Sequence, residues 1–532
     1  MVKVATLAYA VCIPEVILFG IVALVLARRL LRINPKTRGS LDFFLTARDS
    51  SPEWIIAWSY YASNVGSWVI FALPAYVVSA GIIGLVAFAV SCGLPVLVVA
   101  HLGSIIRKKY PHIVSITDFA RWRFGRAVQL YVAALMLLNM FLALAAEYTA
   151  IGNLFVYTLG GSRVPIVLTV AVVTSIYTAA GGLYISILTD VVQGMISVFL
   201  LLLLYGYVAC TFRPGPLPPL SHELGPNYWG YSAIVCQPLA NITGTLFSEG
   251  PWQRAWASKN DRALKRGALW ASMLLVVVCF LYGFGGFLAV WSGVPLSDPT
   301  GSTAFFALLN TGGRGVTWIL IVVAVAAVAM NAGDVDTWEN AITNTFSAVF
   351  LRNFSTRYIR IFVFLINIPA VVVSLQGYNI NSLFLVGGTL CTMSAAPIFL
   401  GMWDRVSMHV TSGATLFGCF TGFWSIVLFG YIRKGNIAKG MTYVFFQYYD
   451  WPTFVIPIIA STLGVGLWAA AENIIRKFLN RPLSALPALA AHSADDSQTN
   501  PAIPGPDHGI RTEDRTREIT EQNEVKNNSG YI

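Results

Sequence analysis

The sequence predicts an all-α integral membrane protein with about thirteen transmembrane helices. Three observations carry this reading. The 532 residues are 56% hydrophobic and only 11% charged, with a mean hydropathy of +0.66, whereas soluble domains run near a quarter charged. The apolar residues gather into runs of the length that a bilayer core demands of a helix, about twenty residues. Lys and Arg fall unevenly between alternate loops, the pattern of the positive-inside rule. The formal charge of +10 is therefore read as topological anchoring, and no nucleic-acid partner is expected. Membrane lipid is the solvent implied.

In chain order the spans fall near 9–27, 52–79, 83–106, 127–157, 163–182, 184–212, 230–252, 267–292, 315–350, 361–377, 381–402, 409–431 and 453–475. The first is followed by Arg28 and Arg29 without a small-residue cleavage site, so it reads as a retained span. The spans at 127–157 and 315–350 exceed what a bilayer requires and are expected to tilt or to emerge as helix. With the N-terminus outside, inner loops hold 21 of the 35 basic residues, outer loops seven and the stretch after the last span seven, leaving none inside a span. The expected topology is N-out and C-in, in a plasma membrane. The outer loop at 432–450, with three basic residues, fits least well. The segment Arg213-Pro-Gly-Pro-Leu-Pro-Pro reads as a stiff external loop. Residues 479–532 turn to Pro, Ala, Ser, Asn and charged residues and read as a disordered cytoplasmic tail. The seven cysteines show no CxxC spacing and read as small core hydrophobes.

Transporters are often built from two inverted repeats, each with an interrupted helix at the matching place. Setting aside the first span, spans two to six and seven to eleven form two groups of five, each opening on an interrupted helix. Span two contains Ala62-Ser-Asn-Val-Gly-Ser-Trp68 and then Pro74; span seven contains Pro238, Asn241, Gly244, Glu249, Gly250 and Pro251. A break frees backbone carbonyls and amides at mid-membrane, where they can hold a cation or a polar solute. The domains expected are residues 1–51, a core 52–402 (repeats 52–212 and 230–402), two further spans in 403–478, and the tail. Intramembrane carboxylates cost about 2.5–3.5 kcal/mol each on insertion scales and mark ion pathways. The candidates are Glu15, Glu147, Asp190, Glu249, Asp334, Asp336 and Glu339. Glu15 reads as interfacial, and Asp334, Asp336 and Glu339 have the alternative of a helix end facing cytoplasmic water. No basic residue stands within a span to neutralise these acids, so a proton, a metal cation or hydrogen bonding must do so.

Three segments resemble the sodium:solute symporter family over roughly residues 10–475. They are Ala62-Ser-Asn-Val-Gly-Ser-Trp-Val-Ile-Phe-Ala-Leu-Pro74, Tyr177-Thr-Ala-Ala-Gly-Gly-Leu-Tyr-Ile-Ser-Ile-Leu-Thr-Asp-Val-Val-Gln193 and Trp252-Gln-Arg-Ala-Trp-Ala-Ser-Lys259. The resemblance, to proline permease and urea transporter-like members, implies a leucine-transporter-like 5+5 inverted repeat and alternating access. It also implies a Na+ site in which backbone carbonyls of Ala62 and Val65 face Val328, Asn331 and Ala332. The family pattern offers two hydroxyls on that helix; this chain has Asn331 and Ala332, then Gly333-Asp334-Val335-Asp336. The amide of Asn331 can ligate a hard cation and Ala332 cannot. The coupling ion is thus Na+ or H+, with Asp190 and Asp334 joining Ala62, Val65, Val328 and Asn331 as cation-binding candidates.

The expected function is cation-coupled import of a small polar, nitrogenous solute such as urea, a polyamine or an amino acid. Asn64, Gly66, Ser67, Trp68, Glu249 and Trp252 are expected to line its pocket. The alternative is a non-transporting nutrient sensor of the same fold. No metal triad, phosphate loop or nucleophile–His arrangement is present, so neither enzymatic activity nor a cofactor is expected. Oligomeric state lies outside what the sequence specifies.

Overall fold

Hydropathy and two glycines decide most of the architecture. The structure is a computed structural model that describes residues 4–33, 41–110, 113, 115–213, 216–296, 301–309, 317–350, 356–403, 406, 409–445 and 450–480. The expected tail therefore lies almost wholly outside the described residues, as do Arg314, Arg352 and Arg405. The helices are α1 (Val4–Ile33), α2 (Leu41–Thr46), α3 (Glu53–Ala62), α4 (Val69–Lys109), α5 (Ile116–Phe124), α6 (Arg126–Asn153) and α7 (Arg163–Thr211). Then come α8 (Tyr228–Leu246), α9 (Glu249–Ala257), α10 (Asp261–Trp291), α11 (Ala304–Leu309), α12 (Thr317–Phe350), α13 (Thr356–Leu375) and α14 (Ile380–Phe399). The last are α15 (Ser412–Lys434), α16 (Ile437–Phe445) and α17 (Trp451–Phe478). Side-chain caps set several starts: Asn227 accepts from the Gly230 N–H, Asn260 from Ala263 and Thr411 from Ala414, each satisfying an orphan donor.

Ten described helices are long and apolar enough to cross a membrane, so the count of thirteen does not follow from length and apolarity alone. Two of the ten are too long for one crossing. At 1.5 Å per residue, the 41 residues of α4 and 49 of α7 would run roughly twice the bilayer core. Each turns at a glycine, Gly81 (φ 62, ψ −162) and Gly182 (φ 61, ψ −161), a conformation essentially closed to other residues. Space forbids a side chain as well. A Cβ on Gly81 would meet Leu224 O at 2.6 Å, and one on Gly182 would collide with the Phe44 carbonyl. Each of these helices thus carries parts of two expected spans.

Both expected interruptions are present. The chain leaves α3 at Ala62 and resumes helix at Val69, and leaves α8 at Leu246 to resume at Glu249. The broken pairs touch: the Tyr60 hydroxyl donates to Pro251 O at 3.0 Å. They are also strapped at one end, where Ser51 N donates to Ala257 O and Lys259 N to Ser51 O, both 2.9 Å. Arg107–Asp49 and Lys108–Asp261 ion pairs, each 2.6 Å, flank that strap. Helix α12 runs through the middle, packed against α1, α3, α6, α7, α9 and α13. It carries Asn331, Asp334, Asp336 and Glu339, none more than 1% exposed. Burial of all three acids overturns the alternative of a helix end facing cytoplasmic water.

Candidate substrate and cation site

The site is built on the break between α3 and α4. An interrupted helix leaves the first amides of its second half without intrahelical acceptors, and a carboxylate is their natural partner. Glu147 of α6 fills this role. Its Oε2 accepts from Ser67 N–H at 2.9 Å and from the Ser67 hydroxyl at 3.0 Å, and its Oε1 from Trp68 N–H at 3.3 Å. Asn331 of α12 completes the cage, its Nδ2 lying 2.9 Å from Glu147 Oε2 and 3.0 Å from both Glu147 O and Ser67 Oγ. The Asn331 Oδ1 is buried without a partner. A side chain on Gly66 would occupy the space where Glu147 Oε1 and Asp334 Oδ2 stand, so the two carboxyls face each other across the missing Cβ.

Asp334 opens from this cage into a cavity of about 130 Å³ lined by Asn64, Trp68, Phe88, Asn139, Asn241, Ser248, Asp334, Trp338 and Phe384 among others. Its Oδ1 has no hydrogen-bond partner. The walls are aromatic: Trp68 stacks on Phe88 at 6.3 Å and meets Phe384 edge-on at 5.3 Å. On the far side, freed carbonyls of the second break are satisfied internally. Asn139 Nδ2 donates to Gly244 O at 3.0 Å and lies 2.9 Å from Ser248 Oγ, while Trp252 Nε1 donates to Leu246 O at 3.1 Å.

The expected pocket residues therefore separate. Asn64 and Trp68 line the cavity, whereas Ser67 is fully buried in the Glu147 cage, and Gly66 is the gap that lets Glu147 and Asp334 approach. Glu249 and Trp252 are absent from the lining. Trp252 is a buried cap stacked on Trp256 at 6.0 Å, and Glu249, also fully buried, accepts from Asn344 Nδ2 at 3.3 Å. Among the cation candidates, Ala62, Val65 and Val328 are buried, and Asn331 and Asp334 converge at the break. Glu147 was visible as an intramembrane carboxylate, but nothing in the sequence joined it to a break eighty positions away.

Asp190 corrects a sequence-level expectation. It is neutralised by a basic residue, Arg254 of α9, whose Nη2 lies 2.9 Å from Asp190 Oδ2, both side chains being fully buried. Arg254 also donates to Ser59 Oγ at 3.1 Å, Gly250 O at 3.1 Å and Thr337 Oγ1 at 2.8 Å. The guanidinium fork thus binds α3, α7, α9 and α12 together. The premise that no Lys or Arg is buried among these acids fails, because α9 carries Arg254 into the interior just beyond the apolar run. Asp336 has hydroxyl partners instead, Tyr177 at 2.8 Å and Ser186 at 2.6 Å.

Comparison with known proteins places this geometry. Residues 43–215 match the sequence model of the Sodium:solute symporter family. The Spermidine transporter DUR31 of Candida albicans is 28% identical over 444 residues, spanning 81% of this chain and 84% of that protein. Sodium/glucose cotransporter 2 of Rattus norvegicus is 27% identical over 227 residues, 40% of this chain but only 30% of the cotransporter. Among solved structures, a Na+-coupled sialic acid symporter in a substrate-bound outward-open state has a TM-score of 0.65 at 16% identity, covering 87% of this chain and 98% of its own. A nucleobase-cation-symport-1 family transporter in a closed conformation has a TM-score of 0.52 at 15% identity, covering 85% and 97%. These likenesses establish the all-helical, leucine-transporter-like fold. The chain is a multi-pass membrane protein that is similar to the Sodium:solute symporter family over residues 43–215 and to a spermidine transporter over most of its length.

Proposed function

We propose that this chain is a cation-coupled symporter for small organic ammonium solutes of the polyamine class, acting in the plasma membrane. The observation that carries this is Asp334, a buried carboxylate with a partnerless oxygen, opening into a cavity walled by Trp68, Phe88, Trp338 and Phe384. A carboxylate with aromatic faces around it selects an organic cation. The anion supplies charge, and each ring face adds roughly 0.5–2 kcal/mol of cation–π attraction once the ammonium is desolvated. A neutral amide such as urea could donate hydrogen bonds to the carboxylate but would gain neither the charge pairing nor the cation–π attraction. The similarity to a protein named for spermidine transport points to the same solute class.

The coupling cation is assigned to the same break. Glu147 is held as an acceptor by two amides, a hydroxyl and the Asn331 amide, contacts that favour its charged form. Asp334 beside it then needs a positive charge, because two close carboxylates repel in a low dielectric. In the empty carrier that charge is the coupling Na+ or H+, with Asn331 Oδ1 as a further ligand. In the loaded carrier the solute's ammonium adds a second cation against the pair. One charge moving through 100 mV supplies about 2.3 kcal/mol, close to a fifty-fold gradient, so one coupled ion suffices for accumulation.

The test is uptake into proteoliposomes of labelled spermidine, putrescine, urea and proline under imposed sodium or proton gradients. Ammonium solutes are expected to accumulate, and Asp334→Asn is expected to weaken their apparent affinity by about a hundredfold, the loss of one buried charge pair. Uptake of urea or proline in preference to amines, with Asp334→Asn unaltered, overturns the assignment.

A further inference from the structure

A second acidic cluster lies outside the cavity, and coupling at the Glu147–Asp334 break makes no use of it. Glu339 sits on α12 more than a turn beyond Asp334, fully buried, between α6, α7 and α13. Its Oε1 is surrounded by Thr174 Oγ1 at 2.9 Å, Ser175 Oγ at 3.2 Å and Asn367 Nδ2 at 2.6 Å. Its Oε2 has only the Thr178 hydroxyl alongside it, and that hydroxyl has no other partner. No Lys or Arg pairs with it among the described residues. The titratable groups that face it are the hydroxyls of Tyr148 on α6 and Tyr177 on α7, and Asp336 lies three positions before it on its own helix. None of these brings a positive charge.

The protons available do not cover the contacts. Thr174 Oγ1 has one proton and stands 2.9 Å from both Val170 O and Glu339 Oε1. Ser175 Oγ has one proton, with Ala171 O at 2.7 Å and Glu339 Oε1 at 3.2 Å. Asn367 Nδ2 has two, within 2.6–3.0 Å of Glu339 Oε1, Ser175 Oγ and Val363 O. The other end of that amide already accepts from the Tyr148 hydroxyl. Each of these donors is also within reach of a backbone carbonyl, and Thr178 alone stands beside the second oxygen of the anion. In a dry interior such an arrangement costs several kcal/mol unless a cation is present.

We propose that Glu339, Thr174, Ser175 and Thr178 form a second site for a small monovalent cation, sodium or a proton, separate from the cation at the Glu147–Asp334 break. Hydroxyl and carboxylate oxygens are hard ligands that suit sodium, and a proton on Glu339 would serve the same hydrogen-poor cluster as an added donor. Because α7 and α13 both contribute, occupancy ties them to α12. The proposal goes beyond the solute assignment and rests on the transport reading only where it concerns stoichiometry.

Full-length protein in lipid nanodiscs, free of solute, provides the test through its melting temperature. One arm replaces choline by sodium at constant pH; the other varies pH in choline alone. The wild type is expected to gain stability with the cation in one arm, which identifies that cation. Glu339→Gln is expected to lose this site's share of the response, while Asp334→Asn keeps it. Thr178→Val is the companion variant, since it preserves shape and removes a hydroxyl whose one neighbour in the cluster is Glu339. A structural threonine there predicts an unchanged cation response; a ligand predicts a half-effect concentration about tenfold higher, as for one oxygen lost to a charge. In proteoliposomes, the charge moved per solute is expected to fall by one in Glu339→Gln. Identical responses in wild type, Glu339→Gln and Thr178→Val, or no response in either arm, overturn the site. Should Glu339→Gln fail to reach the membrane, Thr178→Val alone decides. Failure of amine uptake with the melting response intact would count against the solute assignment and leave this site standing.

Discussion

Arg254 is the residue whose role differs most from its appearance in the chain. Beside Lys259, Arg262, Lys265 and Arg266 it looks like one more anchor at the inner face, yet it is fully buried against Asp190. Burying two charges is costly, and the pair persists because every arm of the guanidinium is used: Ser59, Gly250 O, Asp190 and Thr337. Breaking such a pair from one side leaves the other charge stranded. Arg254→Met is expected to destabilise the protein by about 3–5 kcal/mol, the usual cost of an orphaned buried ion, and Asp190→Asn by a similar amount. The double variant should recover part of that loss. Thermal melting in detergent reads all three, and single variants as stable as the wild type would remove the pair from the structural account. Asp190 thus helps to hold four helices together through Oδ2, while its Oδ1 is buried without a partner.

Glycine decides the elements. The turns at Gly81 and Gly182 convert two over-long apolar helices into connected crossings, and both glycines have positive φ with a carbonyl filling the space of a Cβ. Gly206 lies in the same α7 helix, with nothing within 4 Å of where a Cβ would stand. Gly206→Ala is accordingly expected to be neutral or to stabilise by about 0.5–1 kcal/mol, the ordinary helical preference for alanine. Gly182→Ala should lower the melting temperature and the yield of folded protein, because backbone strain and collision with Phe44 add. Equal stability of the two variants would refute the turn. Gly66 is a different case: it is not among the glycines with positive φ, and it is small so that Glu147 and Asp334 can approach. This explains why the break could be located from residue types although its occupants could not.

At the scale of the whole molecule, charge sets orientation. Near one set of helix ends Arg107 lies on Asp49 and the Ala255 carbonyl, and Lys108 on Asp261. Both of these cluster at the strap joining the loop before α3 to the end of α9, on the side that the positive-inside rule predicts to be cytoplasmic. A tag inserted at 216–225 is expected to label on intact cells and one within 479–532 only after permeabilisation. Labelling of both from the same side would contradict the N-out, C-in arrangement.

Sequence alone determined the solvent of this protein, the approximate position of its spans, the two interrupted helices and the set of acids that had to be buried. Each of these follows from hydropathy, Gly and Pro placement or charge, properties local to a window of about twenty residues. Tertiary structure decided the partners: Asp190 with Arg254, Glu147 with the amides of Ser67 and Trp68, Glu339 with Thr174 and Asn367. It also turned Trp252 from an expected pocket wall into a cap on Leu246 O. The physical reason is that burial of an acid is dictated by its own neighbours along the chain, whereas its neutralisation depends on groups 28 to 165 positions away that only helix packing brings within 3 Å.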